Sequence, residues 1–210
     1  MDNLSISNIL SHRRRHLLAA LMGGAAMPVL TATRAASAAP ERLPVLGTMP
    51  ELIGLTDWFN GAPLNRQQLM GKVVVVEFWA LGCINCQHAL PHVAAWYERY
   101  KDRGLVVVGV HAPEFDSERP AQAVRQAAAA MKLGFPIALD NGFQTWNAFH
   151  NEYWPAAYFV DAQGRIRHRR YGEGAYEQGE RVIQALLVER NGRVAPSIGG
   201  RLDGGAHASG

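Results

Sequence analysis

The feature that most constrains the fold is a seven-residue run, Val73–Trp79, that is apolar at every position but one. β-Branched and aromatic residues favour a strand, and the missing polar alternation indicates a strand buried on both faces. A second run of the same character covers Leu105–Val110. Because strands of this kind need a covering layer on each side, the sequence predicts an α/β domain.

The segments around these strands predict the rest of a central mixed β-sheet flanked by helices on both faces. A helix is expected over residues 84–102, with Pro91 as an internal kink and Gly104 at its end. The first two strand–helix–strand units need right-handed crossovers. The other expected elements are a strand from Thr56 into an Asn-Gly turn, a helix over Ser117–Leu133 capped by Ser117 or Asp116, strands over 135–139, 156–160 and 166–171, a short helix over 144–149 and a closing helix over 175–189.

The two ends of the chain differ from its centre. Residues 1–38 hold four arginines and one aspartate, and the rest of the chain has 17 basic and 17 acidic residues. The formal charge of +3 therefore belongs to the N-terminal segment and gives no reason to expect nucleic-acid binding. We expect an extended linker over residues 39–52, the folded domain over 53–190 and a disordered, Gly-rich tail over 191–210.

Residues 1–38 have the three parts of an export signal. Arg13–Arg15 open a cationic region, Leu17–Leu30 form an uncharged apolar run, and Ala36–Ala38 supply small residues for cleavage. The run is shorter than the roughly 20 residues that span a bilayer. The paired arginines resemble a twin-arginine (Tat) signal, while a Sec signal, an uncleaved anchor or a tail without a targeting role stay open. The expected location is the periplasm or another extracytoplasmic bacterial compartment, after cleavage near Ala38.

Cys83 and Cys86 are the two cysteines of the chain, and they lie between a predicted strand and a predicted helix. A thiol at a helix N-terminus has a lowered pKa, because the free N–H groups and the helix dipole favour the thiolate. Cys83 is therefore expected to attack a disulfide. Cys86, one helical turn on, is expected to resolve the mixed disulfide that results.

The cysteine pair also allows a structural role or a metal site. The cysteines can be structural, or they can be half of a zinc site completed by His88 and His92. All four zinc ligands would then come from one helix end, whereas tetrahedral sites usually draw on two segments. A redox pair is the preferred interpretation, and we expect neither a metal nor a cofactor.

Two further features surround the predicted dithiol. Glu77 is a lone acid in a buried strand, where desolvation raises a carboxyl pKa, so it could accept the proton of Cys86. The alternative is a strand-end acid that faces solvent or pairs with Lys72. Pro155, preceded by Trp154, begins a predicted strand, and the sequence alone allows either a cis or a trans bond there.

Several separated motifs carry a resemblance to the thioredoxin superfamily. The segment Glu77–Cys86, Glu-Phe-Trp-Ala-Leu-Gly-Cys-Ile-Asn-Cys, resembles its active-site segment. The approach Gly71–Val75 resembles the TlpA-like (redoxin) branch. With Tyr153–Pro155 and Gly172–Gly174 downstream, the Cys-Ile-Asn-Cys motif is similar to the thioredoxin-like domain of DipZ-type proteins. The resemblance covers roughly residues 50–190.

The resemblance implies a thioredoxin-like fold and assigns roles to single residues. Cys83 matches the nucleophile, Cys86 the resolving thiol and Glu77 the buried acid. Substrate binding would fall to the residues that match the cis-proline and the aromatic groups beside the motif. These are Pro155, Trp154 and Trp79. The chain departs from the family at Gly82, where tryptophan is usual, and at Ile84-Asn85, so the direction of electron flow is left open.

The leading hypothesis is an exported thiol–disulfide oxidoreductase that acts on extracytoplasmic protein thiols and disulfides, for example those of apocytochrome c. Reduction is favoured over oxidation, because Asn85 supplies no charge to hold the thiolate. Expected partners are protein substrates and a membrane-bound electron-transfer protein, and we expect a monomer. One alternative is a thiol peroxidase, although no Pro-x-x-x-Thr-x-x-Cys pattern surrounds Cys83. Another is a copper-binding module using Cys83, Cys86 and His88.

Overall fold

A computed structural model describes residues 43–193, so the predicted export signal and the tail from residue 194 lie outside the described residues. The strands are β1 (Gly47–Thr48), β2 (Thr56–Phe59), β3 (Val73–Trp79), β4 (Leu105–His111), β5 (Ile137–Leu139), β6 (Ala156–Val160) and β7 (Arg165–Tyr171). The helices are α1 (Arg66–Leu69), α2 (Ile84–Tyr100), α3 (Ala121–Ala130), α4 (Gln144–Ala148) and α5 (Tyr176–Arg190).

The strands form one mixed sheet in the order β1-β7-β6-β3-β4-β5-β2. β3, β4 and β5 run parallel, while β6 lies antiparallel to β3 and β7 antiparallel to β6. Helices α2, α3 and α5 supply buried residues to the core on one face, and α1 and α4 to the core on the other. The predicted mixed sheet with helices on both faces is therefore confirmed.

β3 is the central strand, and all seven of its residues are buried. Val75 and Trp79 pack in the same core as Cys86 of α2, whereas Val76 and Phe78 pack in the opposite core. Because side chains alternate along a strand, Glu77 points to the face that α2 covers. The strand thus aims its one acid toward the helix that carries the cysteines.

Two sequence expectations about boundaries need correction. The described part of the predicted linker packs on the domain, since Leu43 and Met49 are buried and β1 pairs with β7. The helix expected from Ser117 begins only at Ala121, after a separate 3₁₀ turn. Pro120 is the reason, because its backbone is extended (φ −65°, ψ 120°) and it has no N–H to continue a helix.

Gly109 of β4, the register neighbour of Glu77, tests the packing of the sheet centre. A Cβ there would lie 2.8 Å from Cε2 of Phe135 and 3.0 Å from Cγ1 of Ile137. We expect Gly109→Ala to lower the free energy of unfolding in urea by about 1–3 kcal/mol, because the buried neighbours must shift. Gly142→Ala is the matched control, since its Cβ would make only an ordinary contact at 3.5 Å. Equal stability of the two variants would contradict this packing.

Candidate active site

Cys83 and Cys86 form a disulfide at the N-terminus of α2. Cys83 is the N-cap residue, and the backbone N–H of Cys86 donates to its Sγ at 3.2 Å. Cys83 is half-buried, whereas Cys86 is completely buried. In the reduced state, the same N–H groups and the helix dipole would favour a thiolate on Cys83, the sulfur that a partner can reach.

His88 and His92, the two histidines that could complete a metal site with the cysteines, have other partners. Nδ1 of His88 lies 2.8 Å from a carboxylate oxygen of Glu173. The ring of His92 stacks on Tyr176, with the centroids 3.7 Å apart. Among residues 43–193, no three His, Cys, Asp or Glu side chains are grouped so that they could hold a metal ion. His88 and His92 are therefore engaged by Glu173 and Tyr176 in this structure.

Glu77 is fully buried and pairs with Arg170, not with Lys72 or solvent. Nη2 of Arg170 donates to both carboxylate oxygens, at 2.9 and 3.1 Å. Burial raises the pKa of Glu77 to about 7, and the charge and hydrogen bonds of Arg170 limit that rise. The carboxyl group can therefore take up or release a proton near neutral pH.

Arg170 reaches Glu77 across the intervening strand. It lies opposite Ala157 of β6, which lies opposite Glu77 in β3, so the two side chains share one face of the sheet. Its guanidinium sits 5.6 Å from the ring centroid of Trp96 and 5.3 Å from that of Tyr176. Sequence reasoning missed this residue, because Arg167, Arg169 and Arg170 share one strand and only the register identifies the partner of Glu77.

Trp154 lines a cavity that Cys83 also lines, and the bond between Trp154 and Pro155 is cis. The indole N–H of Trp154 donates to the carbonyl oxygen of Ala112 at 2.9 Å. Trp154 lines a cavity of about 350 Å³ together with Cys83, Ile84 and Phe115. Ile84 and Phe115 are 58% and 60% exposed, so two exposed apolar side chains line the cavity beside the half-buried sulfur.

The expected contact of Trp79 with a substrate does not fit this structure. Trp79 is fully buried, packs edge-on against His111 at 4.9 Å, and does not line the cavity beside Cys83. Phe115, which sequence reasoning missed, occupies the cavity wall instead. A large apolar residue between Glu114 and Asp116 was the signal that could have identified it.

The comparisons with known proteins agree with this geometry. The sequence model of the AhpC/TSA family matches residues 49–169. The chain therefore belongs to the AhpC/TSA family. Protein DipZ of Mycobacterium tuberculosis is 48% identical over 144 residues, which cover 67% of this chain and 21% of DipZ. The chain thus spans about a fifth of the length of that relative.

One curated relative and one solved structure match over nearly their whole length. The thiol–disulfide oxidoreductase YkuV of Bacillus subtilis is 34% identical over 142 residues, which cover 67% of this chain and 95% of YkuV. The solution structure of a thioredoxin-like protein in its oxidised form has 34% identity and a TM-score of 0.62, over 68% of this chain and 96% of that protein. The thioredoxin-like fold is therefore confirmed.

The ion pair with Arg170 leads to a prediction about the pKa of Glu77. Because the positive charge of Arg170 favours the ionised carboxyl, Arg170→Gln should raise the pKa of Glu77 further above its ordinary value, by about one unit or more. The measurement is an NMR titration of the Glu77 side-chain carboxyl carbon. Arg169→Gln is the control, since the neighbouring arginine extends from the other face of β7.

The sign of the pH dependence follows from the direction of this shift. The pKa of Glu77 in the folded protein lies above its ordinary value, so the stability due to the protonated acid is lost as the pH rises from about 4.5 to about 7. In Arg170→Gln that loss should extend to higher pH. An unchanged or lower pKa of Glu77 in this variant would contradict the role assigned to Arg170.

Proposed function

We propose that the chain is a dithiol reductant of protein disulfides, with Cys83 as the attacking and Cys86 as the resolving residue. The observation that carries this proposal is the asymmetry of the pair. Cys83 caps a helix at the edge of a cavity, while Cys86 is buried behind it. Only the first sulfur is accessible to a protein substrate, and the second is placed to complete an intramolecular step.

The reaction balances over two exchange steps. The Cys83 thiolate attacks one sulfur of the substrate disulfide, and the other substrate sulfur leaves as a thiolate. Cys86 then loses its proton and attacks the Cys83 sulfur, which releases the second substrate thiolate. Two electrons pass to the substrate, and the Cys83–Cys86 disulfide is formed.

Glu77 is proposed to accept the proton of Cys86 during the second step. A general base works best when its pKa lies near the working pH, and burial raises the pKa of Glu77 to about 7. The acid faces the side of the sheet where Cys86 packs. Its pairing with Arg170 allows the buried carboxylate to exist without a proton.

Substrate contact is proposed for the apolar wall around Cys83. Trp154, Ile84 and Phe115 offer aromatic and aliphatic surface beside the sulfur. Pro155 adjoins Trp154 and immediately precedes β6, and we propose that it supports an extended substrate segment. These contacts suit a protein chain that presents apolar residues next to its cysteine.

The reductive direction is supported by what surrounds the dithiol. Asn85, between the cysteines, is neutral, so no side-chain cation between them stabilises the Cys83 thiolate. A reductant must itself be reduced again, and we propose a membrane-bound electron donor. Export to the periplasm is proposed from the pattern of residues 1–38 alone. Within residues 43–193, no helix is both long and apolar enough to cross a bilayer.

The roles of the two cysteines are tested with insulin as the disulfide substrate. Reduced Cys86→Ser should accumulate a mixed disulfide with insulin through Cys83, because its resolving thiol is missing. Cys83→Ser should form none, since the remaining sulfur is buried. Mass spectrometry identifies the adduct. Adducts of Cys83→Ser alone would reverse the assignment, and rapid consumption of peroxide by Cys86→Ser would favour a thiol peroxidase.

The role of Glu77 is tested by the rate at which wild-type and variant proteins resolve the mixed disulfide. The double variant Glu77→Gln/Arg170→Gln removes both buried charges and leaves neither unpaired. At neutral pH, resolution should slow by at least about tenfold, because the internal proton acceptor is missing. Formation of the mixed disulfide at Cys83 should change less and serves as the internal control. Equal slowing of both steps would argue for a structural role.

A further inference from the structure

A second buried carboxylate, Glu118, lies beside the cysteine turn and takes no part in the steps above. It ends the 3₁₀ turn Asp116–Glu118 and is only 4% exposed. Its Oε1 accepts the backbone N–H of Gly82 at 2.8 Å, and its Oε2 accepts the N–H of Glu114 at 2.9 Å. One side chain thus joins the residue before Cys83 to the loop that carries Phe115.

A steric contact, which the sequence alone does not show, explains why position 82 is a glycine. A Cβ at this position would lie 2.5 Å from Oε1 of Glu118, closer than real Cβ contacts come. Glycine therefore leaves the space in which the carboxylate approaches the peptide. Glycine at position 82, where the family usually has tryptophan, thus goes together sterically with the buried acid Glu118.

No cationic side chain among the described residues pairs with the Glu118 carboxylate. Within residues 43–193, Glu118 forms no ion pair. His111 of β4 faces it, but burial lowers the pKa of His111 to about 4, so this ring is neutral at pH 7. Glu114 lines the same cavity as Cys83, and His88 of α2 is engaged with Glu173. Trp154 and Pro155, on the β6 side, are uncharged.

We propose that Glu118 is a positioning residue that fixes the Gly82–Cys83 turn and opposes formation of the Cys83 thiolate by its negative charge. The N-terminus of α2 stabilises the thiolate, and the carboxylate partly offsets this effect. A less stabilised thiolate is intrinsically more nucleophilic and makes the dithiol a stronger reductant. This proposal rests on the proposed function where it treats the dithiol as a reductant. The expected effect of Glu118 on the pKa of Cys83 does not depend on that function.

The first test measures the pKa of Cys83 from the ultraviolet absorbance of its thiolate, in a Cys86→Ser background where it is the sole thiol. Glu118→Gln keeps the side-chain shape and an acceptor for Gly82 N–H but loses the charge. The Cys83 pKa should fall by about one unit. Asp116→Asn removes the same charge from the exposed start of the same turn and should have a smaller effect.

The outcomes separate this inference from the proposed function. A Glu118→Gln shift that is no larger than that of Asp116→Asn, or that is upward, would overturn the charge effect. The titration uses no disulfide substrate, so it stands even if insulin forms no adduct with Cys83. A circular dichroism spectrum like that of the wild type establishes that the variant is folded.

A second test addresses the steric contact between position 82 and the Glu118 carboxylate. Gly82→Ala should lower the melting temperature, because its Cβ and the carboxylate cannot occupy their places together. Glu118→Ala removes the carboxylate, so the double variant Gly82→Ala/Glu118→Ala should be more stable than the sum of the two single effects predicts. If the change in melting temperature of the double variant equals the sum of the two single changes, Gly82 and Glu118 are not coupled.

Discussion

The buried ion pair between Glu77 and Arg170 is the interaction on which the rest of the site depends. Removal of a carboxylate from water is costly, and one cation two strands away makes it tolerable in the central strand. The sheet register brings the two together, and the rings of Trp96 and Tyr176 flank the guanidinium. The same packing covers the face on which Cys86 lies. The contacts that stabilise this face of the sheet therefore also surround the acid that is proposed to accept the proton of Cys86.

The two buried acids near the dithiol have different surroundings, and this difference separates their roles. Glu77 faces a single arginine in an apolar core, so its pKa is raised to about 7 and its charge can change during a reaction. Glu118 accepts hydrogen bonds from two backbone N–H groups, which hold its side chain against the turn before Cys83. A group of the first kind suits proton transfer, and a group of the second kind suits a positioning role.

Features that are encoded locally could be predicted from the sequence. The valine runs predict β3 and β4, and the Cys-x-x-Cys spacing predicts the dithiol at the start of α2, because each depends on neighbouring residues. The partners of the two acids could not be predicted in this way. Arg170 is 93 positions from Glu77 and Gly82 is 36 positions from Glu118, so only the tertiary register brings them together. The resemblance assigns Trp79 to substrate contact, whereas its place in β3 buries it.

The proposed direction of electron flow rests on the balance of charges at Cys83. The helix N-terminus and the N–H of Cys86 favour the thiolate, and neutral Asn85 adds nothing to them. Glu118, which accepts the N–H of Gly82, is proposed to act in the opposite sense, and it forms no ion pair within residues 43–193. Because a thiolate that is held less firmly gives up its electrons more readily, this balance favours a reductant over an oxidant. On this proposal, the glycine before Cys83 contributes to the redox chemistry, since it leaves room for the Glu118 carboxylate.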